Sequence, residues 1–295
     1  MVDLIACYWT LAGPYSWEGD TSSPWDLRDR AQAASRAGFR GIGIAHVDLR
    51  RAVAQYGFES VRLILEDNGL TFLELEALTD WFTVDSSRTA SDGVRLDLLE
   101  AAEKLGAARL KSGGALKPDI SVSVEQMTNE FAILARQAHD AGTMVTLEPI
   151  AFSNIPDLRT GLAVIGDTVG RGGGLMLDSW HATRGNYSLD AIAHMAPGVV
   201  AGVEINDGSL LARGDPLQET LNERMLCGEG EFDLKGLIAS CRAAGYDGPW
   251  GVEVLSAAQR ARNLEAAAQE SFDAAIRQFG MLEPRDSNGV SASSD

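Results

Sequence analysis

The sequence has few basic residues, few histidines and few cysteines, and it has no long hydrophobic run. Lysine and arginine number 25 against 42 aspartates and glutamates, which gives a formal net charge of −17. A surface this acidic repels polyphosphate, so we expect no nucleic-acid partner. No apolar run approaches the roughly 18 residues that a membrane span needs, so no membrane partner is expected either.

The three cysteines are odd in number and far apart. They are Cys7, Cys227 and Cys241, with no CxxC pair among them. This pattern is typical of reduced thiols in a cytoplasmic protein. The first residues also lack the basic start and the cleavage site of a secretory signal, so the sequence predicts a cytoplasmic location.

One pattern recurs along the 295 residues. A helical stretch ends near a glycine, and a short apolar run follows. The apolar runs lie at 4–8, 41–44, 72–75, 108–111, 144–148, 175–178, 199–207 and 250–254. The helical stretches lie at 26–37, 53–67, 95–105, 123–140, 157–169, 234–243 and 257–279. Strands that alternate with amphipathic helices indicate parallel pairing through right-handed crossovers.

Eight such units predict a single α/β domain, a (β/α)₈ TIM barrel, over residues 1–281. An open doubly wound sheet is the alternative, but no GxGxxG motif follows the first run. Residues 282–295 are polar and small, which predicts a disordered tail. The connection at 208–232 is long, and long loops at the C-terminal rim of a barrel shape the substrate pocket.

Four of the predicted strands carry an acid at or near the end: Glu148, Asp178, Glu204 and Glu253. An acid in an apolar strand is costly to bury unless it is paired or binds a metal ion. The C-terminal ends of barrel strands converge on one mouth, so we expect these carboxylates to face a common point. A divalent cation would relieve their repulsion, and an all-oxygen set favours Mg²⁺ or Mn²⁺ over Zn²⁺.

Three basic residues support a competing interpretation. Lys111, Arg184 and Arg224 could pair with some of these acids, which would leave fewer of them for a metal ion. The same three residues are candidates for contacting the substrate.

Other candidates for chemistry or substrate binding stand near the ends of the predicted strands. His181 follows Asp178 by three residues, and its imidazole titrates near neutrality, so it is the predicted proton carrier. His46 is a weaker candidate for contacting substrate, and Trp9 could stack on a sugar ring or pack in the core.

Five motifs along the chain resemble those of the xylose-isomerase-like barrel superfamily, often called sugar phosphate isomerases/epimerases. The resemblance covers about residues 3–280, and the order and spacing of its motifs are specific for the superfamily but not for a substrate. The motifs are Leu147-Glu148-Pro149, Asp178-Ser179-Trp180-His181, Glu204-Ile205-Asn206-Asp207, Gly228-Glu229-Gly230-Glu231-Phe232-Asp233 and Gly251-Val252-Glu253-Val254.

The resemblance implies one divalent ion, commonly Mn²⁺, Mg²⁺ or Co²⁺, at positions 148, 178, 204 and 253. It also implies that Glu148 and Glu253 flank the substrate and move protons. His181 would contact the substrate, or act as the base in dehydratase relatives. The endonuclease members fit poorly, because they need a histidine-rich zinc cluster and a basic face, and this chain has four histidines.

Glu204 departs from the superfamily pattern. The common ligand at this position is histidine, and dehydroshikimate dehydratase relatives often have glutamine. A fourth carboxylate makes the cluster more anionic than is usual in the superfamily. This departure favours a lyase over a plain sugar epimerase.

Three hypotheses about function remain open at this point. The first is a metal-dependent isomerase or epimerase of a sugar or keto-polyol, acting through an enediolate. The second is a lyase, either a dehydratase of a keto-inositol or dehydroshikimate, or an enzyme that cleaves a 3-keto C-glycoside by β-elimination. The third is a non-catalytic barrel. The expected partner is a small carbohydrate or keto-polyol; a homo-oligomer or a small partner subunit is left open.

Overall fold

The apolar runs form a closed parallel barrel in the computed structural model, which describes residues 2–116 and 122–280. The eight strands pair in chain order, and the last pairs with the first. They are β1 (Leu4–Ala6), β2 (Gly41–Ala45), β3 (Phe72–Leu78), β4 (Arg109–Gly113), β5 (Val145–Glu148), β6 (Gly173–Asp178), β7 (Val200–Ile205) and β8 (Trp250–Val252). The predicted TIM barrel is therefore confirmed.

Helices cover the outside of the barrel. Within the described residues they are α1 (Leu27–Ala37), α2 (His46–Asp67), α3 (Ser86–Leu105), α4 (Val124–Asp140), α5 (Leu158–Ile165), α6 (Ser179–Arg184), α7 (Leu189–Ala193), α8 (Pro216–Asn222), α9 (Leu234–Ala243), α10 (Ala257–Arg260) and α11 (Leu264–Arg277).

Short polar residues begin these helices apart from α2, which follows Ala45, and glycines end several of them. The side chain of Asp26 accepts a hydrogen bond from the Arg28 amide at the start of α1, and Ser123 accepts one from the Gln126 amide at the start of α4. Gly38 ends α1 with a φ of 110°, a left-handed conformation that costs glycine little.

Several predicted helix boundaries differ from the structure: the stretch predicted at 95–105, for example, begins at Ser86. The stretch 257–279 is not one helix: α10 ends at Arg260, and Asn263 begins α11 by accepting a hydrogen bond from the Ala266 amide. The predicted helix 53–67 begins earlier, at His46, and is broken by non-helical backbone at Gly57. The capping side chain of Asn263 and the non-helical backbone of Gly57 decide these two breaks, and apolar periodicity, on which the predictions relied, detects neither.

The barrel sheet has an apolar outer face and a largely ionic inner face. Leucines of β3 and β4 are buried in the main hydrophobic core. The charged residues Glu74, Glu76, Arg109 and Lys111 alternate with these leucines along the two strands, and all four are buried. Glu74 pairs with Arg109 at 2.9 Å. Barrel interiors are usually filled by bulky branched apolar side chains. This interior differs, because paired charged side chains fill much of it.

Glycines on the neighbouring strands make room for these long side chains. A Cβ on Gly43 would lie 2.2 Å from Oε1 of Glu76, and a Cβ on Gly251 would lie 2.8 Å from both Sγ of Cys7 and Cγ of Glu204. The small residues of β2 and β8 are therefore required by the charged residues that they face.

Among the helices of residues 2–116 and 122–280, none has the length and hydropathy to cross a membrane. The predicted disordered tail at 282–295 lies outside the described residues.

Candidate active site

The four acids at the strand ends meet inside the barrel. Asp178 pairs in register with Glu204, and Glu204 with Gly251, two residues before Glu253. The most exposed of the four, Glu148, is 7% exposed. One oxygen from each of the four carboxylates lies within 4.8 Å of the others.

Lys111 lies among these carboxylates rather than free at the mouth. Its Nζ is 2.8 Å from Oε1 of Glu204, 2.5 Å from Oε1 of Glu253 and 3.4 Å from Oε2 of Glu76. Burial lowers the pKa of Lys111, but the three glutamates outweigh it and raise the pKa well above its ordinary value. The ammonium therefore stays charged.

Arg224 bridges two more of the acids. Its Nη1 donates to Oδ2 of Asp178 at 2.8 Å and to Oε2 of Glu253 at 2.9 Å. Both oxygens of Glu253 thus accept from cations, one from Lys111 and one from Arg224. The pairing that the sequence suggested as an alternative is present for these two basic residues.

Asp178 has its acceptor sites filled by local structure. Its Oδ1 accepts from the amides of Trp180 and His181 and so begins α6, while Oδ2 accepts from Asn206 and Arg224. A carboxylate at the end of a strand and the start of a helix is held in one orientation by these bonds.

His181 is buried in the first turn of α6, beside Glu148. Its Nε2 lies 3.7 Å from Oε1 of Glu148, and its Nδ1 has no hydrogen-bond partner. Burial, followed by the charge of Arg224, lowers the pKa of His181 well below its ordinary value. The imidazole is therefore neutral and has a free ring nitrogen, which suits a proton acceptor.

The acids outnumber the cations in this cluster, and their pKa values rise as a result. Burial raises the pKa of Glu148 to about 8; Glu253 and Asp178 raise it and Lys111 opposes them. Burial and the charge of Glu253 raise the pKa of Glu204 well above its ordinary value. The cluster therefore holds protons near neutral pH unless another cation enters it.

The donor atoms fit a divalent ion. Oε1 of Glu148 and Oε2 of Glu204 are buried without a hydrogen-bond partner, and the other two acids share their oxygens with cations. Oxygens around an ion that binds at about 2.1 Å lie about 3–4 Å apart, so a spread of up to 4.8 Å needs only a small contraction. An ion would replace the protons that the cluster holds.

The sequence analysis missed the inner end of this charge network. Cys7, Glu74 and Glu76 offer ligand atoms within 4.8 Å of one another, and Cys7 Sγ also lies 3.4 Å from Oε1 of Glu204. The signal was present, because Glu74 and Glu76 alternate with leucines in an apolar strand. Glu74 and Glu76 are as costly to bury unpaired as the four strand-end acids, so the same pattern predicts that they are paired or bind a metal ion.

Two residues predicted to contact substrate, His46 and Trp9, have their contacts outside the carboxylate cluster. Nε2 of His46 is 2.8 Å from Oδ2 of Asp97 on α3, so this side chain points toward the outer helices. Trp9 packs with Tyr8, Tyr15 and Trp17 in an aromatic cluster after β1. Their roles toward a substrate stay predictions.

The long connection after β7 is held together by Asp207 and Arg184. Oδ1 of Asp207 accepts from the Gly208 and Phe232 amides, and Oδ2 accepts from the Gly228 amide. Arg184 donates to the carbonyl of Ser209 at 2.9 Å. Arg184 therefore supports the loop and does not pair with the four acids.

Glu148 links the stability of the metal-free protein to pH. Its folded pKa of about 8 lies above the ordinary 4.5, so its contribution is fully present below about 4.5 and is lost as pH rises to about 8. In urea titrations with EDTA, we expect this group to lower the free energy of unfolding by at most about 1.4 kcal/mol per pH unit. Glu148→Gln should flatten the profile, and equal slopes in both proteins would contradict the assignment.

The family comparison covers most of the chain. A family model described as xylose isomerase-like TIM barrel matches residues 31–278. The 3-dehydroshikimate dehydratase of Pseudomonas aeruginosa is 26% identical over 250 residues, which is 83% of this chain and 39% of that protein. The chain thus spans less than half the length of this curated relative.

Solved structures share the fold. The IolI protein with a bound zinc atom superimposes with a TM-score of 0.80 at 16% identity, covering 94% of this chain and 98% of that one. A D-allulose 3-epimerase from Methylomonas in complex with D-allulose gives a TM-score of 0.67 at 20% identity, covering 94% and 97%. The family model matches far more than half of the residues. The chain therefore belongs to the xylose isomerase-like TIM barrel family.

Proposed function

We propose that the barrel is a lyase that removes a proton from the carbon next to a carbonyl group and expels the hydroxyl group on the following carbon. The observation that supports this most concerns His181: its Nδ1 is buried without a hydrogen-bond partner, while Nε2 of the same ring faces Glu148. The isomerase or epimerase that the sequence analysis placed first is the second candidate.

The two glutamates expected to move protons are not equivalent. Oε1 of Glu148 is free of hydrogen bonds, whereas both oxygens of Glu253 accept from Lys111 or Arg224. Epimerisation needs a second proton carrier on the opposite face of the substrate carbon. A syn elimination needs one base only, because the same group can take the proton and return it to the leaving oxygen.

His181 supplies that single base in the proposed reaction. Its neutral ring takes the proton as the carbon–hydrogen bond breaks, and the electron pair moves toward the carbonyl oxygen to give an enolate. As the enolate collapses, the pair forms the carbon–carbon double bond and the bond from the following carbon to its hydroxyl oxygen breaks. His181 gives the same proton to that oxygen, which leaves as water. Glu148 faces Nε2 and stabilises the imidazolium that forms between the two steps. Contacts of this kind are often long in the absence of a substrate, and the separation is 3.7 Å here.

A divalent ion belongs to this proposal. Glu148, Asp178, Glu204 and Glu253 would hold it, with Mn²⁺ or Mg²⁺ favoured over Co²⁺ and Zn²⁺ by the all-oxygen set. When bound, it would polarise the substrate carbonyl oxygen and stabilise the negative charge that develops there. The chain's own residues keep the site buried and move the proton.

The comparisons support the two candidates differently. The relative from Pseudomonas aeruginosa is a dehydratase, but this chain spans 39% of its length, so its activity enters here only as a proposal. The Methylomonas neighbour is an epimerase bound to D-allulose, and the placement of Glu148 and Glu253 in one cluster is the observation that favours an epimerase here.

A screen in D₂O with added Mn²⁺ tests the function. The panel contains 3-dehydroshikimate, keto-inositols, 3-keto C-glycosides and free ketoses, with mass spectrometry as the readout. We expect one cyclic keto compound to lose water and the recovered substrate to carry deuterium next to its carbonyl group. Recovery of a deuterated sugar isomer without loss of water would favour the epimerase, and an inert protein would overturn both candidates.

A further inference from the structure

We propose that Lys111 sets how tightly the carboxylate cluster holds a divalent ion. Its ammonium competes with the ion for Glu204 and Glu253, and its removal creates a tighter site. This inference rests on the metal site in the proposed function, but it concerns ion binding and can be tested without a substrate.

Lys111 is committed to acids of the barrel interior, with hydrogen bonds to Glu204 and Glu253 and an ion pair with Glu76. Three carboxylates lie within 3.4 Å of Nζ, those of Glu76, Glu204 and Glu253. An ammonium has three N–H donors, and two of them already bond to Glu204 and Glu253 while Glu76 faces the group as well. The sequence analysis predicted Lys111 as a substrate contact, and this geometry favours a resident counter-ion instead.

The position of Lys111 makes the competition direct. Oε1 of Glu204 and Oε1 of Glu253 are the oxygens it binds, and both residues belong to the set whose oxygens lie within 4.8 Å of one another. Lys111 is itself buried, at 4% exposed, so little water screens its charge from an ion in the cluster. A fixed positive charge a few ångströms away weakens cation binding strongly at low dielectric.

Glu204 is the acid most affected. Its Oε1 accepts from both Lys111 and the thiol of Cys7, which leaves Oε2 as its free oxygen. Glu148 has no such cation within salt-bridge distance of Oε1 among the described residues, apart from the neutral His181. Lys111 therefore weakens the attraction between Glu204 and a bound ion more than the attraction between Glu148 and that ion.

The main experiment is Mn²⁺ titration by calorimetry of EDTA-stripped, full-length protein at pH 7.5. We expect Lys111→Met to bind Mn²⁺ at least about tenfold more tightly than the unmodified chain. Lys104→Met, which removes one positive charge from the exposed face of α3, is the matched control and should leave the affinity unchanged. Equal or weaker binding in Lys111→Met would overturn the proposal.

A second pair of variants tests the idea if Lys111→Met does not fold. We expect Glu204→Gln to change Mn²⁺ affinity by less than about threefold and Glu148→Gln to weaken it by at least about tenfold, because Lys111 contacts the first acid directly and not the second. An equal loss in both would contradict the proposal. A chain that binds Mn²⁺ as described but converts no keto compound would overturn the proposed lyase and leave the role of Lys111 standing.

Discussion

Replacement of His181 by alanine should lower the turnover number by a factor of about 10²–10⁴ with the fold preserved. The ring is buried, its Nδ1 is free, and Nε2 faces Glu148, so it is the proposed base for the substrate carbon. Alanine removes that base and leaves the four carboxylates in place. Initial rates of water loss and of deuterium exchange, measured on the same substrate, check the prediction.

His194→Gln provides the control for that variant. His194 also lies beside a carboxylate, that of Asp190, but its side chain is 77% exposed at the end of α7. We expect its replacement to leave both rates within about a factor of two, as for groups outside the reacting site. If His181→Ala kept its exchange rate while losing water release, the base would be another residue.

Replacement of Arg224 by methionine should destabilise the metal-free protein by about 3–5 kcal/mol. The guanidinium is 3% exposed and is shared by Asp178 and Glu253. Its removal leaves two buried carboxylates without this cation, and methionine cannot donate to either. In a domain of this size the change corresponds to a fall of roughly 6–20 °C in the melting temperature.

Arg36→Met tests whether the loss reflects burial. Arg36 pairs with Glu265, but the two side chains are 58% and 61% exposed, so no more than about 1 kcal/mol should be lost. Urea unfolding in EDTA measures both variants, and Mn²⁺ should recover part of the stability of Arg224→Met because a cation returns to the cluster. Equal losses of stability in the two variants would show that the buried Arg224 ion pairs stabilise the protein no more than an exposed pair does.

The local pattern of the chain was enough to predict the barrel. Most strands are short apolar runs that follow a glycine or a tight turn. This local pattern predicts the strands because their apolar side chains are the ones buried against the helices on the outer face of the sheet. Helix ends were predicted less well. The break between α10 and α11 depends on the capping side chain of Asn263, which periodicity does not detect.

The strand-end acids could be placed together from the sequence for a geometric reason. Parallel strands of one barrel end at the same mouth, so equivalent positions converge whatever their separation along the chain. The cations could not be assigned in this way. Lys111 and Arg224 both carry positive charge, as Arg184 does, but only folding decides which of the three reaches the carboxylates.

The sequence by itself determined the fold, the family resemblance and the four carboxylates that share one end of the barrel. The tertiary structure decided how those acids are neutralised. Buried charges interact with whatever lies within a few ångströms, and those neighbours come from distant parts of the chain. Lys111 on β4 and Arg224 beyond α8 therefore make Glu148 and Glu253 unequal, and His181, the proposed base, keeps a ring nitrogen without a hydrogen-bond partner.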